Sequence, residues 1–349
     1  MNEDFRVGLT RDFLDGDGDA VLPGDTFALL DAAPGVTWEY LPQNVPEITA
    51  DLAARYDAIL TLRPRYPAAA VAGADRRLAL IARFGVGYDR IDVEACTRAG
   101  VLVTITPDGV RRPVAQAVLT LLLALAGQVM SKDRHTRAGD WDRAGGGLGT
   151  GVTGRTLGLV GIGNIGRDVV RLVAPFEMRI LAHDPYAGPA GVSPGVTLVD
   201  LDTLLRESDF VSINCPLTRE THHLIGAAQL GLMKSGAYLI NTARGPIVDE
   251  GALHAALAAG GIAGAGLDVF EQEPTPTDNP ILALPNVIVA PHALAWTDEC
   301  VRGNGEGACR AILALSRGEA PWHIVNPDAL AHPWLARRMA TWREARGGA

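Results

Sequence analysis

Short apolar runs recur along the first hundred or so residues, at 6–10, 36–41, 58–62, 78–84 and 101–105, with more polar, helix-compatible stretches between them. That rhythm is the mark of βαβ units, whose strands join a parallel sheet covered by helices. A second series starts near Arg155 and continues through 178–184, 210–215, 238–241, 264–268 and 287–290, after which 298–317 has helical character. Between the series, 112–137 is a long helix candidate. Its apolar centre, 114–130, carries Gln116, Thr120, Gly127 and Gln128 and is too short for a bilayer span, so it is expected to be a buried helix. The stretch 144–154 then has six glycines, a composition suited to a boundary rather than to an element interior. The pattern predicts an α/β chain with two doubly wound parallel-sheet domains.

The second series opens with Leu157-Gly-Leu-Val-Gly161-Ile-Gly163-Asn-Ile-Gly166, a strand that breaks into GxGxxG and starts a helix. In a dinucleotide cradle the three glycines have different tasks: Gly161 permits the tight turn, Gly163 lets the backbone approach a pyrophosphate, and Gly166 lets helix and strand pack closely. Downstream, Ile165, Val169, Leu172, Val173 and Phe176 share one helical face, which is expected to lie on the sheet. The next strand ends in Asp184-Pro185, 23 residues after Gly161. A carboxylate there accepts from both ribose hydroxyls and repels a 2′-phosphate, which points to NAD rather than NADP.

Composition narrows the partners. Of 349 residues, 31 are basic and 40 acidic, a net charge of -9, and no Lys/Arg run exceeds two, so a nucleic-acid surface is not expected. The start has no basic n-region followed by an apolar h-region, so a membrane or export role is not expected and the default is a cytoplasmic protein. The four cysteines, Cys96, Cys215, Cys300 and Cys309, form no CxxC pair, which suggests reduced thiols rather than a zinc site or a disulfide framework. Asp15-Gly-Asp17-Gly-Asp19 imitates the start of a calcium loop, but the positions that need Gly and Glu hold Ala20 and Thr26, so no metal is expected. His222-His223 is read as surface.

Ligands of open α/β sheets bind beyond the carboxyl ends of the strands. Those ends here are Asp184, Cys215-Pro216, the Asn241–Gly245 segment, Asp268 and Pro291-His292, so separate strands deliver an Arg, an Asp and a His to one rim. With GIGNIG, INTARGPIVDEGAL at 240–253, LDVFEQEP at 267–274 and VAPHA at 289–293, the chain resembles the D-isomer-specific 2-hydroxyacid dehydrogenases over roughly residues 50–317. The resemblance implies a Rossmann NAD domain, 107–297, inserted into a flavodoxin-like substrate domain, 1–106 with 298–349, and a homodimer built around the inserted domain and the 112–137 helix. It implies a hydride transfer between nicotinamide C4 and C2 of a small D-2-hydroxy acid or 2-keto acid.

Carried over by position, the resemblance makes Arg244 the group that holds the substrate carboxylate and polarises the keto oxygen, a task suited to a planar, permanently charged fork. His292 becomes the general acid for reduction and base for oxidation, and Glu273 the carboxylate that stabilises its imidazolium. Asn164 and Ile165 would give backbone N–H groups to the pyrophosphate. Cys215 and Pro216 would border the adenine, and Thr242, Ala243 and Asp268 would meet the nicotinamide end. Val86 and Gly87, in Arg83-Phe-Gly-Val-Gly87, would grip the substrate carboxylate with their amides, Arg63 and Arg65 would touch a substrate anion, and Trp296 would narrow the pocket. Two features depart from the family's pattern: Arg111-Arg112 before Val114-Ala-Gln116, and a tail, 318–349, expected to cover a partner subunit. A second reading of the same fold is an NAD(H)-sensing, corepressor-like binding protein.

Overall fold

The computed structural model describes residues 4–73, 76–141, 147–188 and 192–347. The chain forms two compact units, one of the described residues up to Val110 together with those from Thr297 onward, the other of Arg111–Trp296. The glycine-rich stretch lies in the second unit, and its start, at 144–146, falls outside the described residues.

In the first unit, strands β1 (Phe5–Leu9), β2 (Val36–Tyr40), β3 (Ala58–Thr61), β4 (Leu80–Arg83) and β5 (Leu102–Thr104) form a parallel sheet of order β2-β1-β3-β4-β5, the flavodoxin-like arrangement. β3 and β5 are buried along their whole length, which is why they read as unbroken apolar runs. Phe13 meets Phe27 and Phe84 edge-on at 5.6 and 5.2 Å, and helix Asp298–Ser316 adds Val301, Ala308, Ile312 and Leu315 to the same core.

The tail also packs on its own unit. Residues Pro333–Gly347 form a helix whose Leu335 and Trp342 enter this unit's own core, with Trp342 edge-on to Phe5 at 5.0 Å. The fully buried Asp57 accepts from the Arg6 N–H at 2.9 Å and pairs with Arg77 at 2.9 Å and with Arg338 of this helix. A buried carboxylate needs such partners, so the helix completes the unit's core.

In the second unit, β6 (Thr156–Val160), β7 (Arg179–His183), β8 (Val196–Leu198), β9 (Phe210–Ile213), β10 (Tyr238–Asn241), β11 (Gly264–Leu267) and β12 (Val287–Val289) form a parallel sheet of order β12-β11-β10-β9-β6-β7-β8. The chain reverses direction across the sheet between β6 and β9, the switch point of a Rossmann arrangement. β8 is absent from the sequence reading because it is a three-residue edge strand just after Pro194-Gly195.

The long helix candidate is two helices. Pro107–Ala126 starts earlier than the apolar pattern indicates, and Gly127 with Gln128, whose φ is 52°, breaks it from Val129–Arg137. By length and composition Pro107–Ala126 could cross a membrane, as many core helices could, but Ala115, Val118, Leu121, Leu122 and Leu125 are buried in the second unit's core. A Cβ on Gly266 of β11 would lie 3.1 Å from Leu121, so that glycine sets how closely helix and sheet pack. Arg111 and Arg112 also find their reason here. They lie 3.9 and 3.1 Å from the fully buried Asp168 of helix Asn164–Val173, which Arg171 meets at 3.1 Å.

Candidate functional site

The β6/β9 switch point holds the glycine turn. Gly161 has φ 98°, and a Cβ there would lie 2.8 Å from the Cys215 N, so both the turn and its closeness to the end of β9 require glycine. A Cβ on Gly166 would lie 2.6 Å from the Gly161 O, which is the tight helix-to-strand contact. Gly163 differs, because a Cβ there would meet nothing within 4 Å and its φ of -68° suits any residue. None of the described residues fills the space its missing side chain leaves. Asn164 and Ile165 open helix Asn164–Val173, so their N–H groups are among the donors that a helix N-terminus leaves without intrahelical partners. The predicted apolar face packs as expected: Val169 and Val173 are buried, with Ile165, Leu172 and Phe176 against the same core.

Asp184, at the end of β7, accepts from the Ile162 N–H at 3.0 Å and the Tyr186 N–H at 3.0 Å. One bond on each oxygen leaves each a second lone pair. Pro185 follows, exposed, and Cys215 and Pro216 lie beyond β9 on the other side of the turn. Burial pushes the Cys215 thiol up to about 11, so it is a neutral apolar wall.

At the end of β10 the buried Asn241 fastens the next segment: its Oδ1 accepts from the Ala243 N–H at 3.0 Å and its Nδ2 donates to the Arg244 O at 2.9 Å. The Thr242 hydroxyl is buried without a hydrogen-bond partner among the described residues. The Arg244 guanidinium donates to the Ala243 O at 2.7 Å. Behind it, a Cβ on Gly245 would lie 1.9 Å from the Phe270 backbone, so only glycine lets the Arg244 segment lie against the loop that carries Glu273. Sequence reasoning noted Asn241 and Gly245 as strand-end residues and missed these tasks.

Glu273 and His292 meet. His292 Nδ1 donates to Glu273 Oε2 at 2.9 Å, and the Phe270 N–H donates to Oε1 at 3.2 Å. Burial would raise the Glu273 carboxyl, but the His292 hydrogen bond and charge, the Phe270 N–H and the Arg244 charge outweigh it and hold the group below its ordinary value. Arg244, Glu273 and His292 are thus in one electrostatic neighbourhood. His292 has φ 56°, left-handed for a non-glycine residue. The turn is held by Asp268, 3% exposed at the end of β11, whose Oδ1 accepts from the N–H groups of Ala293 at 2.9 Å and Leu294 at 3.2 Å. Burial raises the Asp268 carboxyl, against those two N–H donors and the charge of His292. Trp296, 39% exposed, ends the same turn, its N–H donating to the Ala293 O.

In the first unit, Arg83 at the end of β4 donates from Nε to the Gly87 O at 2.7 Å and contacts the Phe84 O, winding the loop round its guanidinium. Gly85, with φ 123°, is latched by its N–H to the Thr106 hydroxyl at 2.7 Å. Arg63 and Arg65 line a cavity of about 640 Å³ beyond the strand ends, with Asp12, Asn44, Glu47 and Arg90.

The pattern of the D-isomer specific 2-hydroxyacid dehydrogenase NAD binding domain matches residues 119–293. A glyoxylate reductase of Korarchaeum cryptofilum is 45% identical over 278 residues, covering 78% of this chain and 84% of that protein. Among solved structures, a glyoxylate reductase from Paecilomyes thermophila is 29% identical with a TM-score of 0.78, covering 92% of this chain and 98% of that one. The D-lactate dehydrogenase of Aquifex aeolicus, solved with NAD and lactic acid, is 28% identical with a TM-score of 0.77, covering 92% and 99%. The chain belongs to the D-isomer specific 2-hydroxyacid dehydrogenase family. It is an NAD-dependent oxidoreductase that transfers a hydride between nicotinamide C4 and C2 of a small 2-hydroxy or 2-keto acid, and a corepressor-like binding role is not favoured. The cradle fits the coenzyme: the space at Gly163 is what a pyrophosphate needs, and the orphaned Thr242 hydroxyl lacks a partner that a bound coenzyme can supply.

Proposed function

We propose that the protein reduces a small 2-keto acid of the glyoxylate class, with Arg244, Glu273 and His292 as its catalytic groups. Bound NADH supplies the hydride to substrate C2. Arg244 holds the substrate carboxylate and polarises the keto oxygen, because a guanidinium forks onto two oxygens and keeps its charge. His292 gives a proton from Nε2 to the developing alkoxide while its Nδ1 stays bonded to Glu273, whose negative charge stabilises the imidazolium before transfer. The observation that carries this is the 2.9 Å bond from His292 Nδ1 to Glu273 Oε2, made by residues 19 apart at the ends of two loops.

For the coenzyme, Gly161, Gly163, Gly166, Asn164 and Ile165 cradle the pyrophosphate, Asp184 with Pro185 takes the ribose, and Cys215 and Pro216 border the adenine. Thr242, Ala243, Asp268 and His292 flank the nicotinamide. Val86 and Gly87 offer backbone amides to the substrate carboxylate, Arg63 takes a substrate anion, and Trp296 narrows the pocket. The glyoxylate class rests on the names of the relatives reported above. We read the enzyme as a cytoplasmic homodimer: Leu123, Val129 and Met130 leave apolar surface on the two helices that resemblance assigns to the interface, and Cys96, Cys215, Cys300 and Cys309 are free thiols.

The test is consumption of NADH with a panel of 2-keto acids. Turnover of glyoxylate or another small 2-keto acid that falls by two or more orders of magnitude in His292→Asn and Arg244→Lys is the expected result, on the usual scale for an acid catalyst. NADH binding without turnover on any acid overturns the reading.

A further inference from the structure

In the second unit's sheet, β6 lies between β9 and β7, so the loops after those two strands flank the glycine turn on opposite sides. One side-chain bond spans the gap. The Tyr186 phenol, beyond β7, donates to Glu220 Oε2, beyond β9, at 2.7 Å. The ring is 82% exposed, so burial does not dictate its position. Its backbone N–H donates to Asp184 Oδ1, which ties the same residue to the ribose carboxylate. Bonding to Glu220 first, and the charges of Glu220 and Asp184, raise the phenol's ionisation above its ordinary value, consistent with both carboxylates lying near it. The Glu220 loop is fastened as well: the Thr218 hydroxyl accepts from the N–H groups of Glu220 and Thr221, both at 3.2 Å, and the Thr221 hydroxyl donates to the Pro216 O at 2.7 Å. A second carboxylate is therefore held across the mouth of the adenosine groove from Asp184.

We propose that Glu220, positioned by Tyr186, is a second determinant of coenzyme specificity, sharing with Asp184 the exclusion of the 2′-phosphate of NADPH. The proposal rests on the reading of Asp184 as the ribose acceptor. A phosphate monoester carries nearly two negative charges at neutral pH. A carboxylate facing such a charge through solvent at a separation on the order of 10 Å disfavours it by about three- to fivefold at low salt, an effect that salt screens within about one Debye length. Arg219, the exposed neighbour of Glu220, bears the opposite charge and its presence is common to every variant compared.

The experiment measures the NADPH/NADH ratio of affinities, by fluorescence titration of the protein with each coenzyme, and the ratio of kcat/KM with one keto acid, at low ionic strength and at about 0.5 M salt, in the wild type, Glu220→Gln, Tyr186→Phe and Asp184→Asn. Glu220→Gln is expected to raise the NADPH/NADH ratio about three- to fivefold at low salt and by less at high salt. Tyr186→Phe should raise it by a smaller factor, since the carboxylate remains but is no longer held. A wild-type ratio in Glu220→Gln, or a gain that salt does not diminish, overturns the proposal. Asp184→Asn reports separately on the ribose reading, because it leaves Glu220 and its phenol in place.

Discussion

Gly163→Ala separates binding from folding. At this position φ is -68° and an added Cβ meets nothing within 4 Å, so the folded chain accepts alanine without strain. Gly163 is the N-cap of helix Asn164–Val173, where exchange with alanine alters stability by a few tenths of a kcal/mol up to about 1 kcal/mol in either direction. The same methyl group occupies the space a pyrophosphate needs to reach the N–H groups of the turn. Hydrogen bonds to a charged group are worth about 1.5–3 kcal/mol each, so losing one weakens NADH binding by about 10- to 150-fold. The assay pairs calorimetric or fluorescence titration with NADH against a thermal melt. Gly161→Ala is the control with the opposite signature, since φ 98° and a 2.8 Å clash with the Cys215 N make it destabilising even without coenzyme. Wild-type NADH affinity in Gly163→Ala would refute the assignment of this space to the coenzyme.

Further outcomes follow at Glu273, Gly245 and Asp268. Glu273→Gln removes the charge that His292 Nδ1 bonds at 2.9 Å; for a pair this exposed the coupling is about 1 kcal/mol, so kcat for keto-acid reduction should drop about fivefold, and a wild-type kcat would refute the pairing. The same carboxyl lies below its ordinary value in the folded protein, so its contribution to stability is present above the ordinary carboxylate range and is lost as pH falls through the folded value; the melting-temperature gap between wild type and Glu273→Gln should close on acidification. Gly245→Ala forces a Cβ to 1.9 Å from the Phe270 backbone and should lower kcat together with thermal stability, read by kinetics and a melt on one preparation. Asp268→Ala orphans the N–H groups of Ala293 and Leu294 at a cost of about 1–3 kcal/mol, whereas Asp268→Asn keeps an oxygen for both; equal melting temperatures in the two variants would contradict the role of Oδ1.

Much of this is legible in the sequence alone. Local patterns carry the parts that are local: the glycine turn, the apolar face from Ile165 to Phe176 and the buried strands each announce themselves within a dozen or so residues. What was not legible depends on contacts far apart in the chain. Nothing near Gly127 says that Gln128 will take a left-handed conformation and split a helix. Nothing near Arg111-Arg112 names Asp168 as their partner, and the tail gives no local sign that Trp342 will meet Phe5. Gly245 resembles any turn glycine until the Phe270 backbone is seen against it.

His292 shows how these levels combine. The imidazole supplies chemistry that its residue type already suggests, but its left-handed backbone is unfavourable for a non-glycine residue and persists only where the surroundings over-determine it. Asp268 provides that constraint at the end of β11, a buried carboxylate whose acceptors are filled by the two N–H groups after His292. Glu273 then fixes the ring from Nδ1, leaving Nε2 as the nitrogen able to face a substrate. One carboxylate sets the backbone and the other the tautomer. Burial holds the first above its ordinary value, while His292 draws the second below its own, so the two acids beside one histidine are shifted in opposite directions for reasons written in their surroundings.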